Sequence, residues 1–111
     1  MLHNLPFQVL PETELAINAV KESGNAVMEI YKRGFTSTTK KDNSPLTEAD
    51  VKSNDIIQKI IASTAYPVLS EESLDDKKRL ECEKIWIVDP LDGTSDFVSK
   101  SGEFTIMIAL V

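Results

Sequence analysis

The sequence has a single cysteine, Cys82, among its 111 residues. No disulfide can therefore form within the chain, and one thiol is compatible with a reducing compartment. No apolar run approaches the roughly 20 residues that a membrane-spanning helix needs. The first ten residues lack the basic start and the long apolar core of a secretory signal peptide. Together these absences predict a soluble cytoplasmic protein without a membrane partner.

Basic side chains are also scarce, since 12 Lys and Arg residues stand against 18 Asp and Glu residues, for a formal net charge of −6. This balance argues against a nucleic acid polymer as partner, because such a partner requires a basic surface. A small phosphorylated substrate remains possible, because bound cations can reverse the charge inside a site. The length is sufficient for one modest domain.

The most informative stretch follows a short apolar run, residues 85–88, which predicts a buried strand. Asp89 is predicted at the strand end, because the proline after it favours extended backbone, and Asp92 is predicted in the following turn. This turn can bring both carboxylates to one point, where their oxygens and a substrate phosphate suit Mg²⁺. A helix can begin near Thr94 with free N–H groups facing an anion. An ordinary β-turn with a Thr or Ser cap is the alternative.

Hydrophobic periodicity predicts two further helices and three further strands. The helices run from Pro11 or Thr13 to about Arg33, and from Thr47 to about Ser63. The strands are residues 35–39 (a strand or hairpin arm), 66–70 and 104–111, the last buried on both faces because its apolar character is nearly continuous. Residues 1–10 are predicted as a loose lead-in, 40–45 as a polar loop, and 74–84 as a loop or irregular helix.

Asp50 has two explanations. Thr47 and Asp50 fit the [ST]-x-x-[DE] capping box, which is a sufficient structural reason for the aspartate. Alternatively, Asp50 points from the first turn of the second helix into a metal site. Taken alone, the pattern favours the cap.

Two other groups of charged residues also have both a structural and a functional explanation. Glu71 follows a predicted strand as Asp89 does, so the two carboxylates would converge if their strands are neighbours. Glu72 is predicted to be a solvated acidic residue. Lys40 and Lys41 could approach a phosphate, but a solvated loop is the favoured interpretation.

Three motifs, taken together, resemble the lithium-sensitive, Mg²⁺-dependent phosphatase superfamily that includes inositol monophosphatase. Residues 44–50 (SPLTEAD) resemble its helix-start aspartate motif, and residues 69–73 (LSEES) resemble its acidic strand-end motif. Residues 86–94 (WIVDPLDGT) match its D-P-[IL]-D-G-T signature. The order and spacing of the three agree, and the resemblance covers about residues 11–111.

Within this superfamily, the sequence is most similar to the 3'(2'),5'-bisphosphate nucleotidase branch. The similarity lies in residues 44–47 (SPLT), in Ser70 before the glutamate pair, and in residues 102–105 (GEFT) followed by 108–110 (IAL). This branch removes the 3'-phosphate from adenosine 3',5'-bisphosphate to give AMP. An inositol or sugar monophosphatase of the same superfamily remains the alternative.

The resemblance implies a cofactor of two or three Mg²⁺ ions and assigns their ligands. Glu71, Asp89 and the backbone carbonyl of Leu91 would hold one ion. Asp89 would bridge to a second ion that Asp92 also binds.

The resemblance also implies substrate-binding and catalytic residues. The substrate phosphate would lie among Glu71, Leu91, Asp92, Gly93 and Thr94. Thr94, paired with Asp50, would orient and help to deprotonate the attacking water, so these two are the expected catalytic residues.

The implied fold is α+β, a layered helix/sheet sandwich of the sugar-phosphatase type, of which residues 1–111 would form the N-terminal half. In that family a further metal-binding aspartate comes from a Trp-Asp segment in the C-terminal half, and this sequence has no such segment. We therefore expect that the C-terminal half or another chain is needed to complete the fold. A non-catalytic fragment that serves as a binding or assembly module is the third possibility.

Overall fold

The computed structural model describes residues 10–41, 45–73 and 77–111. Its α-helices are α1 (Pro11–Arg33), α2 (Glu48–Ile61) and α3 (Thr94–Ser99). Its strands are β1 (Ser37–Thr39), β2 (Pro45–Thr47), β3 (Val68–Ser70), β4 (Trp86–Asp92) and β5 (Thr105–Leu110). Short 3-10 helices cover Ala62–Thr64 and Lys78–Glu81. Residues 1–9 of the predicted lead-in, and residues 42–44 and 74–76 of the predicted loops, lie outside the described residues.

The first helix has the predicted boundaries. It begins at Pro11, where the missing N–H costs no hydrogen bond, and it ends at Arg33. Gly34 follows with φ of 95°, and its N–H donates to the Ile30 carbonyl at 3.1 Å. Glycine tolerates this positive φ, which ends the helix.

The second helix begins where the capping pattern predicts. Thr47 is the N-cap residue, and its Oγ1 accepts the Ala49 N–H at 3.1 Å. The α-helix ends at Ile61, two residues before the predicted end at Ser63, and the chain continues as a 3-10 turn.

The strands form two sheets. Antiparallel β1 and β2 form a hairpin, so Pro45 belongs to a strand and not to the predicted polar loop. The second sheet has the order β3-β4-β5, with β3 parallel and β5 antiparallel to the central β4. This arrangement of helices beside a mixed sheet confirms the predicted α+β class.

The core lies between the two long helices and one face of the second sheet, because α1 and α2 pack along each other and contact β5 and β4, respectively. It consists of two clusters of buried apolar side chains. The first contains Ala19, Ile57, Ile61, Trp86 and Val88. The second contains Val27, Ile30, Ala49, Leu91 and Phe97.

Within the described chain, β5 is not buried on both faces, so that prediction is wrong. Ile106, Ile108 and Leu110 face the core and are half-buried, whereas Thr105, Met107 and Ala109 are exposed. Helix α1 packs against β5, and no described segment covers its outward face. No helix in the described ranges is long and apolar enough to cross a membrane.

Candidate active site

Strand β4 carries Asp89 and Asp92, but it is longer than predicted. Asp89 pairs with Met107 and Asp92 pairs with Thr105, and the register shifts between these two pairs. Asp92 was predicted in the turn, but it is the last residue of the strand. The irregularity allows the chain to bend around Pro90, which has no N–H to donate to a partner strand.

The turn itself is made at Gly93, which has φ of 86°. A Cβ atom at this position would lie 2.8 Å from the Glu103 carbonyl oxygen and 3.3 Å from Phe104 Cα. Both the positive φ and this close approach favour glycine. Helix α3 then begins at Thr94, as predicted, and has six residues.

Parallel pairing of β3 with β4 brings Glu71 toward Asp89. Ser70 pairs with Val88, and the Glu71 N–H donates to the Val88 carbonyl at 3.4 Å. Burial, followed by the negative charges of Glu71 and Asp92, raises the pKa of Asp89 above its ordinary value. The strand pairing and the cleft that Glu71, Asp89 and Asp92 line together confirm the expected convergence of Glu71 with Asp89.

Asp50 caps its own helix, as the capping pattern predicts, and it also contacts Thr94; it does not itself line the cleft. Its Oδ2 accepts the Thr47 N–H and the Thr47 hydroxyl, both at 2.8 Å, and thus completes the cap of α2. Its Oδ1 accepts the Thr94 hydroxyl at 2.8 Å, across 44 positions of sequence. Asp50 is fully buried. The cap therefore fixes the carboxylate that contacts Thr94.

The Thr94 hydroxyl has a second acceptor within reach, the Leu91 carbonyl at 3.1 Å. A hydroxyl has one proton, so it can donate to Asp50 or to Leu91 but not fully to both. Its lone pairs remain able to accept a hydrogen bond from a molecule in the adjacent cleft.

Two residues that the sequence analysis did not select also hold this site together. The buried Ser53 hydroxyl donates to the Pro90 carbonyl at 2.6 Å. Asn54 Oδ1 accepts the Ser70 hydroxyl at 2.7 Å, and Asn54 Nδ2 donates to Ser73 Oγ at 2.9 Å. Asn54 therefore binds the residues on either side of Glu71 and Glu72. Positions 50, 53 and 54 share one face of α2, which therefore holds three separate parts of the site.

Glu71, Asp89, Asp92 and Thr94 border an open cleft of about 340 Å³. It is lined by Lys40, Glu71, Asp89, Leu91, Asp92, Gly93, Thr94, Ser95 and Asp96. The favoured prediction for Lys40, a solvated loop, is therefore wrong, because Lys40 lines the cleft. Glu72 is likewise not a solvated residue, because its carboxylate accepts the Lys40 ammonium at 2.6 Å and its side chain is only 11% exposed.

The predicted Mg²⁺ ligands can be tested against this geometry. Glu71, Asp89, Asp92 and the Leu91 carbonyl are all oxygen donors, which is the chemistry that Mg²⁺ prefers. Burial is the main cause of the raised pKa of Asp89, and the nearby charges of Glu71 and Asp92 add to it, so a cation bound beside these carboxylates would favour the ionised form. The set therefore fits Mg²⁺ in chemistry and charge. Among residues 10–41, 45–73 and 77–111, however, no three His, Cys, Asp or Glu side chains are already arranged to hold a metal ion.

The chain is similar to known proteins in both sequence and fold. Residues 9–111 match the sequence profile of the inositol monophosphatase family. The 3'(2'),5'-bisphosphate nucleotidases CysQ of Shigella flexneri and Escherichia coli K12 are each 38% identical over 96 residues, which cover 82% of this chain and 39% of theirs. The crystal structure of CysQ from Bacteroides thetaiotaomicron superposes with a TM-score of 0.75 at 43% identity, over 97% of this chain and 40% of that one.

An inositol monophosphatase of Thermotoga maritima superposes equally well, with a TM-score of 0.79 at 25% identity, over 92% of this chain and 40% of that one. The fold and the sequence thus define one class, and this chain belongs to the inositol monophosphatase family. It spans about two fifths of the length of these relatives. That share agrees with the predicted N-terminal part of a layered helix/sheet fold.

Proposed function

We propose that this protein acts in the Mg²⁺-dependent hydrolysis of the 3'-phosphate of adenosine 3',5'-bisphosphate, giving AMP and phosphate. The observation that carries the proposal is the hydrogen bond between Asp50 Oδ1 and the Thr94 hydroxyl, at the border of the acidic cleft. It supplies a fixed, buried base next to carboxylates that suit a metal. The CysQ relatives favour the nucleotide as substrate over an inositol or sugar phosphate.

In the proposed reaction, Thr94 accepts a hydrogen bond from the attacking water while its own proton is held by Asp50. The water oxygen forms a bond to phosphorus, and its proton passes through Thr94 toward Asp50. The bond between phosphorus and the ribose 3'-oxygen breaks, and that oxygen takes a proton from a solvent water molecule and leaves as a hydroxyl. The proton held by Asp50 returns to solvent, so that the products are AMP and hydrogen phosphate.

Glu71, Asp89, Asp92 and the Leu91 carbonyl are the proposed ligands of two or three Mg²⁺ ions. Mg²⁺ held by these residues would neutralise charge on the phosphoryl group and lower the pKa of the attacking water.

Glu71, Leu91, Asp92, Gly93 and Thr94 are the proposed contacts of the substrate phosphate. The tight turn at Gly93 supports this part of the proposal, because it brings the backbone after β4 to the edge of the cleft. Small polar groups on a fixed turn position a phosphate without covalent chemistry.

The proposal includes a requirement for residues beyond these 111, supplied by a longer form of this chain or by another chain. Two observations support it. The described carboxylates do not form a ready-made metal group, and the outward face of β5 leaves Met107 49% exposed. Cytoplasmic action is part of the same proposal.

The test is phosphate release from adenosine 3',5'-bisphosphate and from inositol 1-phosphate by the full-length protein, with and without EDTA and lithium. We expect EDTA to abolish and lithium to inhibit release, and the nucleotide to be the faster substrate. Thr94→Val should lower kcat at least about a hundredfold, whereas Thr38→Val, on the exposed strand β1, should not. Release that survives EDTA would contradict the metal-dependent mechanism, and faster release from inositol 1-phosphate would favour the alternative substrate.

A further inference from the structure

The turn that carries Glu71 is held at both of its ends by one side chain of α2. Glu71 and Glu72 are the central residues of this turn. It is closed by the Ser73 N–H, which donates to the Ser70 carbonyl at 3.3 Å. Asn54 Oδ1 accepts the Ser70 hydroxyl at 2.7 Å, and Asn54 Nδ2 donates to Ser73 Oγ at 2.9 Å. The amide therefore joins the first residue of the turn to the last.

These hydrogen bonds belong to a network that is partly shielded from solvent. Asn54 is 7% exposed and Ser70 is 6% exposed. The Ser70 hydroxyl also accepts the Glu72 N–H at 3.3 Å, so the contacts of Asn54 extend into the backbone of the turn. Gln58, one helical turn further along α2, donates to Asn54 Oδ1 at 3.4 Å and to Ser73 Oγ at 3.2 Å. A satisfied network of this kind makes the segment that it joins more rigid.

The same turn contributes a carboxylate to the acidic cleft. Glu71 lines the cleft together with Asp89 and Asp92, and its N–H donates to the Val88 carbonyl at 3.4 Å. Asn54 does not line the cleft, so it affects Glu71 only through the turn. Mg²⁺ requires a near-ideal arrangement of its ligands, whereas Ca²⁺ accepts a flexible one. A turn that restricts the position of Glu71 therefore favours Mg²⁺.

We propose that Asn54 is a positioning residue for Glu71, and that the turn it holds makes the candidate site select Mg²⁺ over Ca²⁺. Hydrogen bonds made behind a metal ligand orient that ligand, and their loss commonly weakens metal binding by roughly ten- to a hundredfold. This inference rests on the proposed function for the identity of Glu71 as a metal ligand, and on the described contacts for the role of Asn54.

The experiment compares Asn54→Ala, Ser70→Ala and Ile57→Val in the full-length protein, with the binding of Mg²⁺ and of Ca²⁺ each measured by calorimetry. Asn54→Ala should weaken Mg²⁺ binding about tenfold or more and Ca²⁺ binding by less, so the ratio of the two affinities falls. Ser70→Ala should lower the ratio as well, because its hydroxyl connects Asn54 with the Glu72 N–H. Ile57→Val, in the core beside the network, lowers stability without removing a hydrogen bond of the turn and should leave the ratio unchanged.

The double variant Asn54→Ala/Ser70→Ala tests whether the two residues act together. Because their hydrogen bonds belong to one network, the fold-loss of Mg²⁺ affinity in the double variant should be smaller than the product of the two single losses. Losses that multiply in full would show that Asn54 does not act through Ser70, and would overturn the inference.

Equal losses of Mg²⁺ and Ca²⁺ affinity in Asn54→Ala, or an equal change of the ratio in Ile57→Val, would also overturn it. So would an Asn54→Ala protein that binds Mg²⁺ normally and only melts at a lower temperature, because the network would then be a structural contact. The proposed function fails differently. Phosphate release that survives EDTA, in a protein whose metal selectivity depends on Asn54 as described, would contradict the proposed function alone. Absence of Mg²⁺ binding by the unsubstituted protein would contradict both.

Discussion

The N-terminal half of α2 buries polar side chains beside its apolar ones, whereas the outward face of the β3-β4-β5 sheet leaves apolar side chains exposed. Asp50 and Ser53 are fully buried, and each has a hydrogen-bond partner in another part of the chain. Ile87 and Met107 are 40% and 49% exposed on the sheet. Burial of polar groups costs free energy unless they are hydrogen-bonded, so the α2 contacts must be retained for the site to form. The exposed apolar residues of the sheet need no particular partner within the described chain.

The largest expected effect comes from Asp50, because it joins the helix cap to Thr94. Asp50→Asn should lower kcat at least about a hundredfold. It should also lower the free energy of unfolding by about 1–2 kcal/mol, because the amide has one accepting oxygen in place of two, so that either the Thr47 donors or the Thr94 hydroxyl loses its acceptor. Kinetics and chemical denaturation measure both effects. The control is Asp55→Asn, on the exposed side of the same helix, and a normal kcat in Asp50→Asn would return the residue to a purely capping role.

Gly93 offers the next largest effect. Gly93→Ala should lower the free energy of unfolding by roughly 1–3 kcal/mol, because the new Cβ would meet the Glu103 carbonyl at 2.8 Å as well as adopt a strained φ. Gly102→Ala is the matched control, since its φ is 82° and a Cβ added there would have no atom within 4 Å. Urea denaturation should show the larger loss for Gly93. Equal losses would mean that backbone strain alone, and not the close approach, requires glycine there.

A smaller difference in unfolding free energy is expected between alanine substitutions of two buried serines, Ser53 and Ser23. Ser53→Ala should lower the free energy of unfolding by about 1 kcal/mol, because the Pro90 carbonyl loses its hydroxyl donor. It should also weaken Mg²⁺ binding, measured by calorimetry, since Pro90 lies between two proposed ligands. Ser23→Ala should have a weaker effect, because the acceptors within reach of the Ser23 hydroxyl are the Ala19 and Val20 carbonyls of its own helix. Unchanged Mg²⁺ affinity in Ser53→Ala would show that α2 does not position the cleft.

The smallest effect is expected on the outward face of the sheet. In the 111-residue chain, Met107→Thr should change the free energy of unfolding by no more than about 0.5 kcal/mol, because the side chain is half exposed. Ile108→Thr, on the inward face of the same strand, should cost more than about 1 kcal/mol. Thermal unfolding of the two variants provides the comparison. A larger loss for Met107→Thr would mean that the outward face is covered, for example by a second copy of the chain.

The sequence allowed some of this architecture to be predicted and not the rest, for identifiable reasons. Convergence of Glu71 with Asp89 follows from two strand ends in a parallel pair, and the Asp50 cap follows from local spacing. The partner of Ser53 could not be predicted, because it lies 37 positions away in the bend after Asp89. The sequence did place Asp50, Ser53 and Asn54 on the same helix face as the buried Ile57, which indicates that these polar side chains are buried but not what they bind. The bare face of β5 could not be predicted either, because apolar residues do not reveal what covers them.

The central claim is that the cleft around Asp89 is a cation site. Thermal unfolding of the unsubstituted protein and of Asp89→Asn, each with and without Mg²⁺, tests it directly. Without metal, Asp89→Asn should melt at the same or a higher temperature, because the variant no longer has a partly buried charge and is not repelled by Glu71 and Asp92. Mg²⁺ should raise the melting temperature of the unsubstituted protein and have little effect on the variant, because a ligand stabilises only the state that binds it. Equal stabilisation of both proteins by Mg²⁺, or no stabilisation of either, would contradict the claim.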